Sequence, residues 1–224
     1  MLLFEKLIGL YAPHICLGCG AEDNQLLCGS CRTTMPRVPS RCYRCRAVTR
    51  DYAVCVSCRR HTPLRHVAVA MHYDDLAKEL LRQAKYERAR SGILEVAELM
   101  APLLQSLPDD AVLVPVPTAT SRARQRGYDQ AVVLASALGT LAGAGRSDVL
   151  ARLGQAHQVG AGRKERIEHL QGAFRVPRPT DVARKHIILV DDVLTTGATL
   201  ETAARTLKKV GARKVDAIVF CQAG

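Results

Sequence analysis

Hydrophobic and polar positions change their period along the chain, and these changes predict its secondary structure. Short apolar runs bounded by polar turns predict β-strands, which fall at 66–73, 111–115, 149–153, 173–176, 187–190 and 215–220. Apolar residues spaced three and four positions apart predict helices, which fall at 74–86, 93–107, 128–141 and 200–210. Strands that alternate with helices predict an α/β domain with a mainly parallel sheet and right-handed crossovers.

The N-terminal block is organised differently, since it contains few large apolar side chains. A block of this kind needs crosslinks or metals to fold. Eight of the nine cysteines of the chain stand here, as four C-x-x-C pairs: Cys16/Cys19, Cys28/Cys31, Cys42/Cys45 and Cys55/Cys58. Each pair can direct two thiolates at one cation, and two pairs complete a tetrahedral site of four cysteines for Zn²⁺. Because such sites are closed by sulfur, the pattern predicts two structural, non-catalytic zinc ions.

A disulfide framework is the competing interpretation of these cysteines. It requires an oxidising compartment, and residues 1–11 carry Glu5 and Lys6 within their apolar stretch, without the basic start of an export signal. We therefore expect a cytoplasmic protein, with an N-terminal helix and the metal module in residues 1–62 and the α/β domain in residues 63–224. Short gaps favour sequential pairing of the four turns into two sites, and interleaved pairing stays open.

Composition adds a basic charge to this picture. The formal net charge is +11, which suits polyphosphate substrates or nucleic acid. With no tryptophan and three phenylalanines, an extended aromatic platform for stacking bases is not expected. No apolar run approaches the roughly 20 residues of a membrane span, so we expect none.

The most specific pattern is the string IILVDDVLTTGAT at 187–199. Four apolar residues predict a buried strand, and Asp191 and Asp192 follow at its carboxyl end, where α/β sheets place their ligands. The next residues open a helix whose free N–H groups can bind an anion; they are Thr195, Thr196, Gly197, Ala198 and Thr199. The carboxylates can accept hydrogen bonds from two ribose hydroxyls while the turn holds a 5′-phosphate. The string therefore predicts a sugar-phosphate site.

Two further segments concentrate positive charge. Arg122 and Arg126 follow the predicted strand at 111–115, and fit a phosphate contact, a solvated surface or a nucleic-acid patch. Arg163, Lys164 and Arg166 lie in a stretch with two glycines, which fits either a flexible loop that closes over a polyphosphate or a surface connection.

Together these patterns resemble the ComF/GntX-like phosphoribosyltransferases, a family with an N-terminal double zinc ribbon. Residues 187–199 resemble the signature of type I phosphoribosyltransferases for phosphoribosyl pyrophosphate (PRPP), and Lys85-Tyr86 resembles the L-K-[FY] segment of the family. Residues 114–130 are similar to V-P-V-P…R-x-x-x-R-G-[FY]-x-Q, and residues 158–174 to Q-x-G-x-x-R-x-E-R-x-x-x-L-x-G-A-F. Residues 118–121 replace the common L-H-P-x, and Asp129 and His169 stand where asparagine is usual.

The resemblance implies a type I phosphoribosyltransferase fold, with the core sheet ordered 3-2-1-4-5 and PRPP with Mg²⁺ as ligands. It implies displacement at the anomeric carbon of ribose, with Asp191 and Asp192 holding the sugar as the catalytic residues. It places Arg122 and Arg126 at the pyrophosphate and the second basic segment in a flexible loop.

Members of the family are linked to natural competence, the uptake and handling of incoming DNA. The resemblance therefore suggests single-stranded DNA, or competence and DNA-processing proteins, as partners. Two alternatives to the transferase stay open: a non-catalytic PRPP sensor, and a single-stranded-DNA scaffold that uses the zinc ribbons and basic loops. The acceptor substrate and the oligomeric state are not indicated by the sequence.

Overall fold

A computed structural model describes most of the chain, namely residues 14–87, 89–104, 108, 110–118, 128–153 and 173–223. The predicted N-terminal helix lies outside the described residues. So do the side chains of Arg122 and Arg126 in one basic segment and of Arg163, Lys164 and Arg166 in the other.

Two small cysteine-rich units come first in the described chain. In the first, β1 (His14–Ile15) pairs antiparallel with β2 (Glu22–Asp23), and α1 (Gly29–Thr34) follows. In the second, an isolated bridge joins Arg41 to Val48, and α2 (Val56–Arg59) follows. Cys28 and Cys55 are the N-cap residues of α1 and α2, so each helix begins directly after a cysteine of its unit.

The α/β part alternates strands and helices. Its elements are β3 (Val67–His72), α3 (Asp75–Arg82), α4 (Ala89–Met100), β4 (Ala111–Pro115), α5 (Gln130–Ala142), β5 (Gly145–Arg146), β6 (Ala151–Arg152), β7 (Phe174–Arg175), β8 (His186–Leu194), α6 (Ala198–Lys209) and β9 (Lys214–Gln222). A π-helical turn (Gln83–Glu87) follows α3, and 3-10 turns cover Ala101–Leu104 and Pro179–Asp181. Asp74 caps α3 as predicted, because its carboxylate accepts the Ala77 N–H at 2.8 Å.

The central sheet has five parallel strands in the order β5-β4-β8-β9-β3. Counted along the chain, this order is 3-2-4-5-1, so the expected order 3-2-1-4-5 is wrong. The difference arises because the first strand of the sheet pairs with the last, from Val67 opposite Ala217 to His72 opposite Gln222. On the other side of β3, the Val38 N–H donates to the Ala70 carbonyl at 3.2 Å. The segment between the two cysteine units thus covers this edge of the sheet.

Each face of the sheet carries its own apolar core and its own cysteine unit. One core contains α3, α4 and α5 together with the first unit; its residues include Cys16, Leu27, Leu80, Val96, Leu113, Leu134 and Phe220. The other contains α6, β6 and β7 together with the second unit; its residues include Cys42, Tyr43, Val54, Phe174, Leu189, Leu207 and Val219. The two cysteine units therefore belong to opposite faces, on either side of the β3 edge.

Several predicted elements differ from the observed ones. The strand at 187–190 continues to Leu194, because β9 accompanies it as far as Gln222. The helix at 93–107 begins at Ala89, and after Met100 the described chain continues as a 3-10 turn that contains Pro102. Proline lacks the N–H that an α-helical turn would use.

The weaker strand predictions were only partly right. The runs at 149–153 and 173–176 contribute β6 and β7, which pair antiparallel with each other outside the central sheet. The small-residue connector expected at 142–145 ends in β5, which pairs with Val112 and Leu113 as the edge strand. Alternation of apolar residues cannot signal a strand of two residues. Among the described residues, no helix is long and apolar enough to cross a membrane.

Candidate functional site

A crevice opens at the carboxyl ends of β4 and β8. From β4 the chain passes through α5 to β5, whereas from β8 it passes through α6 to β9 in the opposite direction, and α5 and α6 belong to different faces. The pairing of β4 with β8 ends near Val190, whose carbonyl accepts the Val116 N–H at 2.9 Å. Beyond this point β8 continues with β9 alone. Open α/β sheets bind ligands at such a reversal of strand order.

Asp191 and Asp192 lie at this crevice, where β8 is irregular. The Asp192 N–H donates to the carboxylate of Asp191 at 2.9 Å. Val190 and Val193 both pack into the first core, so the alternation of a regular strand is broken at the two acids. The pair is half-buried. Burial, and then the charge of Asp192, raise the pKa of Asp191 well above its usual value.

Lys85 supplies the positive charge beside these acids. Its Nζ lies 2.8 Å from Asp192 Oδ2, and both side chains are about one quarter exposed. Lys85 stands in the π-helical turn, a feature frequent at functional sites. A Cβ at Gly92 would lie 2.5 Å from the Ala84 nitrogen, so α4 packs directly against this turn. The resemblance contained Lys85, but no spacing in the sequence assigned it to the acids.

A turn that can bind phosphate follows β8. Thr195 and Thr196 are exposed, and Gly197 has φ +79° in the left-handed region. Helix α6 begins next, and its first turn closes with the Glu201 N–H donating to the Gly197 carbonyl at 2.9 Å. The hydroxyls of the turn and the first amides of α6 are donors suited to an anion at the positive end of the helix dipole.

The basic segment with Arg122 and Arg126 is anchored at both ends beside the crevice. Asp129 accepts the N–H and the hydroxyl of Thr118, each at 3.0 Å, and so joins the two ends. The Tyr128 hydroxyl donates at 2.7 Å to the carbonyl of Ala84, in the same turn as Lys85. The segment therefore leaves and re-enters the described chain next to the acids.

The cysteines form two clusters, each with four residues: Cys16, Cys19, Cys28 and Cys31 in the first, and Cys42, Cys45, Cys55 and Cys58 in the second. Within each cluster the four Sγ atoms lie within 4.8 Å of one another. A tetrahedral Zn²⁺ with bonds of about 2.3 Å separates its sulfur ligands by roughly 3.8 Å. The donor sets therefore fit zinc, and the pairing is sequential, not interleaved.

The protonation of the clusters also points to a cation. Burial alone would raise the pKa of Cys16, but backbone hydrogen bonds, first from Cys28, lower it to about 6. In the same cluster, a hydrogen bond with Cys28 Sγ and burial raise the pKa of Cys31 to about 12. Four thiolates this close repel one another, so full ionisation requires a positive charge among them.

Comparison with known proteins identifies the family. The family model described as "Phosphoribosyl transferase domain" matches residues 64–224. Competence protein ComFC of Bacillus subtilis is 30% identical over 201 residues, covering 85% of this chain and 81% of the relative. Competence protein F of Haemophilus influenzae is 27% identical, covering 85% of this chain and 87% of the relative. DNA utilization protein YhgH of Escherichia coli K12 is 27% identical, covering 95% of this chain and 99% of the relative.

Among solved structures, the glutamine PRPP amidotransferase of B. subtilis overlaps partially, with a TM-score of 0.45 and 15% identity over 64% of this chain and 30% of that chain. The family match covers the whole α/β part, and the competence relatives also align with the cysteine clusters. Both features of the resemblance are thereby confirmed. The chain belongs to the phosphoribosyl transferase domain family, within the ComF-like group that carries a double zinc ribbon.

Proposed function

We propose that the protein binds PRPP with Mg²⁺ at residues 191–199 and transfers its phosphoribosyl group. The observation that carries this proposal is the acid pair placed directly before a phosphate-binding turn at the switch point of the sheet. In this site, Asp191 and Asp192 accept from the ribose hydroxyls, and Thr195, Thr196, Ala198 and Thr199 surround the 5′-phosphate with Gly197. The two basic segments meet the pyrophosphate.

The residues act mainly by electrostatics and positioning. Positive charge develops on the ribose as the bond at its anomeric carbon to pyrophosphate breaks, and the neighbouring carboxylates stabilise that charge. Their oxygens also suit Mg²⁺. When bound with PRPP, Mg²⁺ would neutralise charge on the departing pyrophosphate. Lys85 offsets the repulsion between the acids in the structure described, and can turn to an entering phosphate.

Substitution of Arg122 and Arg126 by alanine is expected to weaken PRPP binding roughly 10-fold or more, because each arginine contributes charge-assisted contacts to pyrophosphate. Calorimetric titration measures the affinity for PRPP, and zinc content shows whether the ribbons remain folded. The same variant is titrated with single-stranded DNA at several salt concentrations. Unchanged PRPP affinity, with a salt slope reduced by about 0.7 per lost phosphate contact, would assign the arginines to DNA.

Turnover distinguishes the transferase from a PRPP sensor. The protein is incubated with PRPP, Mg²⁺ and a panel of bases, amines and nucleic acids, and release of pyrophosphate is followed. We expect release that depends on one acceptor class and disappears in Asp191→Asn/Asp192→Asn. PRPP binding without release for any acceptor would support the sensor alternative.

We infer a role in the handling of DNA, because the relatives are named for competence and DNA utilization. Exposed arginines on the second cysteine unit, such as Arg44 and Arg50, favour single-stranded DNA as a second ligand, bound through its phosphates. Reduced cysteine clusters support a cytoplasmic location. We retain the division into a ribbon module at 1–62 and a transferase domain at 63–224 as a working description of these activities.

A further inference from the structure

The second cysteine cluster makes direct contact with the phosphate-binding turn. Tyr43 stands between the cluster residues Cys42 and Cys45 and is buried. A Cβ built on Gly197 would lie 2.7 Å from Cε2 of the Tyr43 ring. Real side chains do not tolerate this distance, so the ring rests on the backbone of Gly197 at the position where φ is +79°. The ring thus limits how the turn can move.

The hydroxyl of Tyr43 fixes the helix that follows the turn. It lies 2.7 Å from Glu201 Oε1 and 2.9 Å from Thr62 Oγ1. Burial raises the pKa of Tyr43, so the hydroxyl stays protonated and donates to the Glu201 carboxylate. Glu201 lies in the first turn of α6, and its N–H closes that turn on Gly197.

Further contacts connect the same cysteine turn to the end of the sheet. Arg44 pairs with the buried Glu201 carboxylate, which Arg205 also contacts at 2.9 Å. The Gln222 amide, at the carboxyl end of β9, donates to the Tyr43 carbonyl at 3.3 Å and accepts from Arg46 at 2.6 Å. Buried, charge-assisted contacts of this kind hold geometry more firmly than exposed ones.

The first cysteine unit provides a natural comparison. Leu17 occupies the position in Cys16-Leu17-Gly18-Cys19 that Tyr43 occupies in the second unit. Leu17 packs against the core on the other face, together with α3, α4 and α5. It therefore supports the fold without touching the phosphate turn.

We propose that Tyr43 is a positioning residue for the phosphate-binding turn, through its ring on Gly197 and its hydroxyl on Glu201. The second ribbon then forms part of the wall of the PRPP site, while the first ribbon serves only the fold. This inference rests on the proposed function for its ligand, but its contacts exist without a ligand. A loosened turn would hold phosphate less well, because the donors must be ordered at binding.

The test compares Tyr43→Ala, Tyr43→Phe and Leu17→Ala in the full-length, zinc-loaded chain. PRPP affinity is measured by calorimetry, and the exchange of the amide hydrogens at 195–201 is measured without ligand. We expect Tyr43→Ala to weaken PRPP binding about 10-fold or more, and Tyr43→Phe about 2- to 5-fold, because the ring contact remains. Exchange at 195–201 should accelerate in the same order. Leu17→Ala should leave both measurements close to those of the wild type.

The readouts separate this inference from the proposed function. If the wild type does not bind PRPP, the proposed function fails, and the exchange rates alone decide the positioning role. If Tyr43→Ala loses zinc, Tyr43→Phe decides, because it preserves the packing of the ring. Unchanged exchange at 195–201 in a zinc-loaded Tyr43 variant would overturn the inference, as would Leu17→Ala weakening PRPP binding equally.

Discussion

Substitution of Cys42 by serine is expected to reduce the zinc content from two ions per chain, one for each cluster, to one and to unfold the second ribbon. Cys42 is fully buried and belongs to the second core. Structural zinc contributes about 10–16 kcal/mol in small zinc-binding peptides, which equals or exceeds the stability of a typical domain, about 5–15 kcal/mol. Elemental analysis measures the zinc, and amide exchange locates the unfolding. We expect rapid exchange in 40–62.

Cys221→Ser is the matched control for this substitution. Cys221 is also fully buried, but it lies in β9 outside both clusters. Its serine variant should retain two zinc ions, one for each cluster. A Cys42→Ser protein with unchanged zinc content, or a wild-type protein whose mass shows disulfides in place of metal, would contradict the zinc assignment.

Asp191→Asn together with Asp192→Asn is expected to weaken PRPP binding at least 100-fold. Each amide removes charge-assisted acceptance from a ribose hydroxyl, and a loss of about 1.5–3 kcal/mol corresponds to roughly 10- to 100-fold in affinity. The two effects should not add simply, because the residues interact with each other and Asp192 with Lys85. Calorimetric titration with PRPP and Mg²⁺ measures the loss.

Asp110→Asn is the control for a loss of one acidic charge. Asp110 precedes β4 and pairs with Arg213, which precedes β9, so it lies at the amino ends of the strands, away from the crevice. Its PRPP affinity should match that of the wild type. Equal losses in Asp110→Asn and in the double variant would indicate a general effect of charge, not a ribose clamp.

Local signals were sufficient for the family, the two cysteine clusters and the acid pair. The spacing within each C-x-x-C pair fixes how two thiols meet, so the clusters follow from the sequence once the gaps are short. The string at 187–199 contains both a buried strand and a helix start, which place its acids at the edge of a sheet. These features depend on residues that are neighbours in the chain.

Contacts between distant segments could not be predicted in this way. Lys85 reaches Asp192 only after α3 and β8 have packed on the same sheet, and Tyr43 meets Gly197 only because the second ribbon lies on the face of α6. The position of β3 beside β9 likewise depends on pairing between the two ends of the domain. The roles of Arg122 and Arg126 remain predictions, although Asp129 anchors both ends of their segment in the structure.

The most direct test of PRPP recognition is a calorimetric titration of the full-length, zinc-loaded wild-type protein with PRPP, with Mg²⁺ present and with Mg²⁺ omitted. We predict saturable binding of a single PRPP per chain, strengthened by Mg²⁺ and opposed by free pyrophosphate. A folded, zinc-loaded protein that shows no binding at millimolar PRPP in the presence of Mg²⁺ would contradict the central claim that this site is built for PRPP.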